Sequence, residues 1–597
     1  MAEYKVPLKD MSFLLYEVFQ ADKMWQKLPK LAQQVDKETA QAILQECAKI
    51  AEQELDPIAR QGDEIGVSFK DGVVTTAPGY KEAFNTYVEG GWTSLGGDVN
   101  YGGMGMPKML TALHEEMLCS ADISFALYPV LTAGAALSLA KHGSEALKQR
   151  YLTRMYSGEW SASMCLTEAH SGSDLGIIRT KAIPQEDGTY NVTGTKIFIT
   201  GGEHDLTENI VHLVLAKLPD APAGPRGISL FLVPKYQVND DETLGEFNNV
   251  SCGSIEHKMG IHASATCVMN FDGAKGYLIS EPHKGMSAMF TFINESRLGV
   301  AMHGQAHSEV SFQKSLIYAK DRVQFRVKPR VTPEKNADPI ISHPDVRRML
   351  LTQKAIAEGG RMLNMFCGQM VDIEQSPDFS EAEHAEAGAM LAVLTPIAKG
   401  FLSETSQETT NYGIQVLGGH GFIKEWGMEQ EVRDARISQL YEGTTGIQGL
   451  DLLGRKILGS KGKVLKPMMA KVEKFIKENK RNKFAKQLKG YVSSWESLTR
   501  SIGFSAMRNT DEVNAAAVDY LMFAGYVTVA YFWAEAAVAA EKALSNGAPE
   551  PEFYKSKIAT ADFYYQRIMP RTLSHEAAIK NGMDSMMEIA PENFAFL

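Results

Sequence analysis

Cysteine is scarce. Only six occur in 597 residues (Cys47, Cys119, Cys165, Cys252, Cys267 and Cys367), and no two form a CxxC pair. A small disulfide scaffold is excluded, and the six read as reduced, mostly buried thiols of a cytoplasmic protein. A secretory signal is not expected either, because MAEYKVPLKDMSFLLYEVF has no basic stretch leading into an apolar core and a cleavage site. No charge-free apolar run reaches the roughly 20 residues that span a bilayer. One such run, Tyr520–Ala534, is interrupted by Gly525 and Thr528 and reads as a buried helix. Basic residues are in deficit, 61 Lys and Arg against 72 Asp and Glu, for a net charge of −11. Attraction of the whole molecule to nucleic acid or to an acidic membrane is therefore not expected.

Several site signatures are missing too. There is no Walker A loop and no nucleophile elbow. GGHGF, Gly418 to Phe422, is not GxGxxG and does not follow a predicted strand, so a dinucleotide fold is unsupported. His303 and His307 have a metal-compatible HxxxH spacing on a predicted helix, but no third ligand follows and no metal site is expected. What is present is an ordinary globular composition, 44% hydrophobic and 22% charged, which excludes a disordered chain. The length suits about four folding units.

Residues 1–35 read as an N-terminal extension rich in aromatic and long apolar side chains. From 36 to 160 apolar residues recur every three or four positions, as in ETAQAILQECAKIAEQELDPIAR, MLTALHEEML and ALKQRYLTRMY, with Pro57 marking a stop. Gly90–Pro107 is a glycine-rich loop. The texture changes near Ser161. GTYNVTGTKIFITGG, NIVHLVLAKL and GISLFLVPKY are β-branched or alternating runs set off by Pro and Gly, and CVMNFDGA closes a β segment that covers 161–284. Helical periodicity returns near 285, giving a bundle over 285–460 and a further helical domain over 461–597. Strands and helices do not alternate, so a doubly wound sheet is disfavoured; the expectation is a mainly α protein with a central β domain. Charge is unevenly placed: residues 455–490 hold thirteen Lys and Arg against Glu473 and Glu478. That stretch reads as a solvated helical face, or as a patch for a polyanion or membrane surface.

Three segments carry chemistry. MCLTEAHSGSDLG, Met164 to Gly176, offers hydroxyls and approachable backbone N–H groups suited to phosphate or flavin-ring oxygens. IQVLGGHGF, Ile414 to Phe422, lets a ligand approach its backbone at two glycines. In QLYEGTTGIQGLDLLGRKIL, Thr444 or Thr445 can cap a helix, which places Glu442 just before its N-terminus with Gly443 beside it.

Taken in order, TEAHSGSD, the KIFIT strand, KMGIHASAT, NESR, DRVQF, QVLGGHGF and QLYEGTT resemble the acyl-CoA dehydrogenase family over about residues 36–460. The added C-terminal domain and the N-terminus resemble its longer bacterial members. The resemblance implies a helical domain, a β-barrel-like domain and a helical bundle, plus the extra C-terminal helical domain. It also implies FAD as cofactor, an acyl-CoA thioester as substrate, electron transfer flavoprotein as electron acceptor and a homodimer. The implied reaction removes an α proton to a base while a hydride leaves the β carbon for the flavin. The thioester carbonyl would be polarised by a ribityl hydroxyl and by the base's own backbone N–H, and a dry site would raise the carboxylate's basicity.

Carried over by motif, the base is Glu442. The alternative family position falls at Ser296, and Glu295 next to it is rotated by about 100° on a helix. The resemblance assigns flavin contacts to the backbone of Met164, Cys165 and Leu166, to Thr167 and Ser173, and to Phe198 and Thr200 on the KIFIT strand. Arg322 and Phe325, with Gln415, Gly418 and Gly419, resemble the group that grips the adenosine pyrophosphate from a second subunit; Thr444 and Thr445 resemble further flavin contacts. Ser173, Arg297 and Gly443 resemble substrate contacts. Three departures stand out: Phe198 replaces the usual Trp, Ala169-His170-Ser171 stands where the family often has Pro-x-Ala, and Gln324 stands where Thr is frequent. Two other functions stay open on the sequence, an acyl-CoA oxidase on the same scaffold and a flavin-containing nucleic-acid-binding relative.

Overall fold

The computed structural model describes residues 3–26, 28 and 35–595; the rest of the expected 1–35 extension lies outside the described residues. The chain divides into two compact units, Gln33–Gly299 and a second made of Met1–Ala32 with Val300–Leu597.

In the first unit six helices of ten residues or more precede the β segment. The longest is Ile123–His142, which Asp122 caps by accepting from the Phe125 N–H. Seven strands then form one sheet. Ile228–Pro234 pairs with both Asn209–Lys217 and Thr266–Ile279, so the strands between them close into a barrel. This pairing explains the almost uninterrupted burial of NIVHLVLAK and ISLFLVP. Val214, Ala216, Phe231 and Val233 pack with Cys267 and Phe271, whereas Val211, Leu213, Leu230 and Leu232 pack with Tyr151, Leu152 and Trp160. A strand buried on both faces loses the alternation that a half-exposed strand shows. The strand begun at CVMNFDGA runs further than its sequence pattern suggests, from Thr266 to Ile279.

In the second unit the helices Pro344–Gln375 and Glu381–Leu417 pack along each other and against Asp511–Ser545. Ser380 and Glu383 form a reciprocal capping box that starts Glu381–Leu417. The apolar Tyr520–Ala534 run lies inside the 35-residue helix Asp511–Ser545. Among the described residues three helices are long and apolar enough by length and composition to cross a membrane, this one among them. Its most apolar stretch is 83% buried by protein. Close packing at Gly525 is obligatory, since a Cβ there would lie 2.3 Å from the Phe401 ring. Seven lysines of the basic stretch sit on two amphipathic helices: Lys466–Glu478 buries Met468, Met469, Val472 and Phe475, and Lys483–Ala506 buries Phe484, Leu488, Val492 and Trp495.

The N-terminal segment is part of this unit's core. Met11, Phe13, Leu14 and Leu15 are buried, and the Phe13 ring lies edge-on to Phe553 at 5.5 Å. Asp10 is buried between Lys557 and the Arg361 guanidinium, the latter at 2.5 Å. Arg361 also reaches Glu309 at 2.8 Å and Lys557 reaches Glu358 at 2.9 Å. Burial alone would raise the Asp10 pKa, but Lys557 and Arg361 outweigh it and hold it at about 2. The folded value is below the usual 3.8, so this contribution to stability is complete above about pH 4 and is lost as pH falls toward 2. Asp10→Asn leaves two buried cations short of a partner and should cost about 3–5 kcal/mol. A denaturant titration at neutral pH checks the loss, and the gap from the unmutated protein should narrow between about pH 4 and pH 2.

Candidate active site

The Glu442 turn is shaped by its surroundings within the second unit. A short 3-10 turn, Ile437–Gln439, ends with the N–H groups of Leu440 and Tyr441 donating to the Ile437 carbonyl at 2.9 and 3.2 Å. The helix Thr445–Leu450 begins just beyond, and Thr444 is its cap, its hydroxyl accepting from the Ile447 N–H. Between the two the backbone is left-handed, with φ of 55° at Glu442 and 92° at Gly443. A side chain in that region costs about 1–2 kcal/mol and persists only where neighbours impose it.

Those neighbours come mainly from the helix Glu381–Leu417. Lys399, fully buried, donates to the Gly443 carbonyl. Ser403 Oγ donates to the Ser438 carbonyl at 3.1 Å. Glu404 accepts from Gln439 at 2.7 Å and from the Thr445 hydroxyl at 2.5 Å, so one carboxylate ties both flanks of the turn. Gln448 adds bonds from Nε2 to the Glu442 carbonyl at 2.9 Å and the Gly443 carbonyl at 3.4 Å. A Cβ on Gly443 would meet that same Nε2 at 2.8 Å, which is why glycine stands there. Tyr441 OH lies 2.5 Å from His303 Nδ1, and burial pushes the His303 pKa down to about 3, so its ring is neutral at physiological pH. His307 bonds Glu431 at 3.0 Å. The two histidines of HxxxH thus serve separate side chains, and the described residues contain no cluster able to hold a metal. The arrangement presents a half-buried carboxylate on a rigidly held turn, as proton abstraction requires.

Also in this unit, Tyr318 OH bonds His420 at 2.9 Å, and the Arg322 N–H donates to the Tyr318 carbonyl at 2.8 Å. The Arg322–Phe325 segment and the Gln415–Gly419 turn are thereby neighbours. Phe325 is 82% exposed, and a Cβ added at Gly418 or Gly419 meets nothing within 4 Å.

The other expected residues lie in the first unit. Met164 and Cys165 end the strand Trp160–Cys165, and Leu166 and Thr167 follow. Cys165 is fully buried with its thiol 3.5 Å from Ser163 Oγ, so only its backbone is left to contact a ligand. The Thr167 carbonyl accepts from the Ile197 N–H at 2.9 Å, which sets Thr167 beside Phe198. Phe198 departs from a regular strand. Its φ is 60°, the pairing register shifts there, and the ring is 59% exposed. A bulge of this kind re-aims a side chain, and it turns the ring outward close to Thr200. Ser173 is exposed in the following loop. Arg297 is only 7% exposed, so it lies inside the fold rather than on a helix surface. Glu295 is ion-paired with Lys108, which also approaches Glu115 at 3.5 Å, so its carboxylate is already committed.

Comparison with known proteins agrees segment by segment. The N-terminal, middle and C-terminal domain families of acyl-CoA dehydrogenases match residues 37–159, 163–274 and 283–458. A fourth family, acetyl-CoA dehydrogenase C-terminal like, matches residues 468–590. The 3-methylmercaptopropionyl-CoA dehydrogenase of Ruegeria pomeroyi is 40% identical, over 98% of this chain and 99% of its own. The chain belongs to the acyl-CoA dehydrogenase family. A broad-specificity linear acyl-CoA dehydrogenase of Mycobacterium tuberculosis is 34% identical over 99% of both chains. The fold matches the acyl-CoA dehydrogenase of Bacillus anthracis, solved with FAD, at a TM-score of 0.72 and 22% identity, covering 92% of this chain and 88% of that one.

Within this acyl-CoA dehydrogenase, sequence reasoning missed two charged pins. One is Lys399, whose only sequence signal is a lone charge in the apolar run PIAKGFL. The other is Lys196 of KIFIT. Also fully buried, it donates to the Leu166 carbonyl at 3.0 Å and pairs with Glu168 at 2.9 Å. Burial would raise the Glu168 pKa, but Lys196 and the Thr180 hydroxyl outweigh it and hold it at about 2, so the pair is ionic and fixes the Leu166–Glu168 backbone.

Proposed function

We propose that this member of the family catalyses FAD-dependent α,β-dehydrogenation of an acyl-CoA thioester to the trans-2-enoyl-CoA, with Glu442 as base. The observation that carries the reading is the left-handed Glu442–Gly443 turn, held from Lys399 and Gln448. An α C–H is a weak acid, so its removal needs a carboxylate fixed at the right place rather than one free to rotate. Glu442 takes the α proton, and its backbone N–H helps to polarise the thioester carbonyl as charge develops there. By the family resemblance the substrate contacts are Ser173 and Arg297 in the first unit and Gly443 in the second.

The residues present fit FAD. Two outward aromatic rings, Phe198 and Phe325, offer apolar faces, and the open backbone at Gly418 and Gly419 accommodates phosphate. By the family resemblance the flavin contacts are Met164 to Thr167, Ser173, Phe198 and Thr200 in the first unit, and Thr444 and Thr445 in the second. The adenosine end of FAD would be gripped by Arg322, Phe325, Gln415, Gly418 and Gly419 of a second copy in a homodimer. FAD supplies the acceptor for the β hydride, which no side chain provides. Electrons then pass to electron transfer flavoprotein in the cytoplasm. The Ruegeria relative's name favours 3-(methylthio)propanoyl-CoA as substrate, and the Mycobacterium relative's name a linear fatty acyl-CoA.

The test is anaerobic flavin bleaching across a panel of acyl-CoAs that includes the methylthio-propanoyl thioester. Purified protein should be yellow, hold one FAD per chain and bleach with at least one member of the panel. Discrimination by a single methylene should be modest, about 10–200-fold. A colourless protein that gains no flavin absorbance on reconstitution would refute the reading. Reoxidation of the bleached enzyme by air at turnover rates would favour the oxidase instead.

A further inference from the structure

We propose that Lys399 is the positioning residue that sets the base, an inference that rests on Glu442 being that base. An ammonium group with no solvent exposure is costly to keep inside a protein. Lys399 nevertheless sits mid-helix among Ile397, Ala398, Phe401 and Leu402, all buried, and spends a hydrogen bond on a main-chain carbonyl one residue beyond Glu442. A charged donor grips such a carbonyl more strongly than a neutral one does.

The geometry gives that grip a purpose. Each peptide unit is a rigid plane, so holding its oxygen fixes the whole plane. Gln448 holds the oxygen of the Glu442–Gly443 plane and Lys399 that of the Gly443–Thr444 plane. Two consecutive planes are thus pinned, and Thr444 then locks into its cap. With both pins in place, Glu442 stays in a conformation that a free chain abandons. With Lys399 removed, the backbone at Glu442 can relax toward ordinary angles and carry the carboxylate away from the α carbon. Lys399 is a positioning residue that acts through its bond to the Gly443 carbonyl.

Lys399→Met keeps the length of the side chain and deletes the charge and the donors. The measurement is the stopped-flow rate of flavin reduction by butanoyl-CoA and by 3-(methylthio)propanoyl-CoA, expressed per bound flavin. The limiting rate should fall about 100-fold, with the half-saturating thioester concentration moving less than about threefold. A purely structural lysine would lower yield and thermal stability but leave the rate per bound flavin unchanged, and that result overturns the inference. Should Lys399→Met fail to fold, Gln448→Met removes the neutral pin and should slow reduction by about tenfold, and an unchanged rate there is equally fatal. Glu442→Gln separates the two readings. If it is inert while Lys399→Met is normal, the base stands and only the role of Lys399 falls. If it is reduced normally, the base assignment falls and takes this inference with it.

Discussion

Glu442→Gln should reduce its flavin with acyl-CoA about 10⁴-fold more slowly, while retaining FAD and binding the thioester as before. The amide has nearly the volume and shape of the carboxylate, so the left-handed turn and its bonds to Gln448 and Lys399 survive. What disappears is the capacity to take a proton, and substrate then remains bound without reacting. Glu295→Gln is the matched control. Glu295 is held by Lys108, and Glu115 stays near that ammonium when Glu295 is neutralised. The control should cost stability and leave the reduction rate per bound flavin unchanged. If instead Glu442→Gln turns over normally and Glu295→Gln does not, the base lies on the helix Gly285–Asp321.

The turn at Glu442 was legible because its frame is contiguous in sequence: the glycine that allows the turn and the threonine that caps the next helix follow Glu442 directly. The pins were not legible. Lys399 and Glu404 reach the turn from a helix that ends well before it, and nothing in PIAKGFLSE tells which face of the helix meets which loop. Phe198 shows a second kind of limit. Alternation along KIFIT assigns it to a strand face, but its real direction is set by a bulge against Val268, and bulge positions depend on the partner strand. Barrel closure by Ile228–Pro234 likewise depends on two pairings, neither of them local. The N-terminal extension was legible as apolar. Its anchoring was not, because the ionic partners of Asp10 are Arg361 and Lys557, far away along the chain. Burial of the charge-free run around Tyr520 followed from its composition, since a helix carrying large apolar groups on more than one face has no dry partner except protein or lipid.

Removing residues 461–597 should yield aggregated, flavin-poor protein. The deleted domain fills the core of the second unit rather than sitting on it. Trp533 Nε1 donates to the Ala355 carbonyl at 3.1 Å, and Gly359 is needed because a Cβ there would come 2.5 Å from Val529 Cγ1 and 3.0 Å from that indole nitrogen. Phe401 lies edge-on to Tyr526 at 4.9 Å. Arg571 forks onto both oxygens of Glu408 at 2.7 Å. Each link joins the deleted part to Pro344–Gln375 or Glu381–Leu417, and the latter carries Lys399 and Glu404. Tyr520, Tyr531, Phe532 and Trp533 are all at most 1% exposed. At about 1.5–3 kcal/mol apiece their loss is roughly 6–12 kcal/mol, comparable with the whole stability of a typical domain at about 5–15 kcal/mol. The truncation would also strip Asp10 of Lys557 and Phe13 of Phe553, and so release the N-terminal segment. The apolar faces left behind would drive association. Gel filtration and the flavin-to-protein absorbance ratio read the outcome directly. Liposome co-sedimentation of the intact protein with anionic lipid completes the test: with the lysines of Lys466–Glu478 and Lys483–Ala506 on helices whose apolar side is already filled, little binding is expected at physiological salt. A monodisperse, fully active truncation would overturn this role for the domain, and strong salt-sensitive vesicle binding by the intact protein would assign the basic stretch to a membrane surface instead.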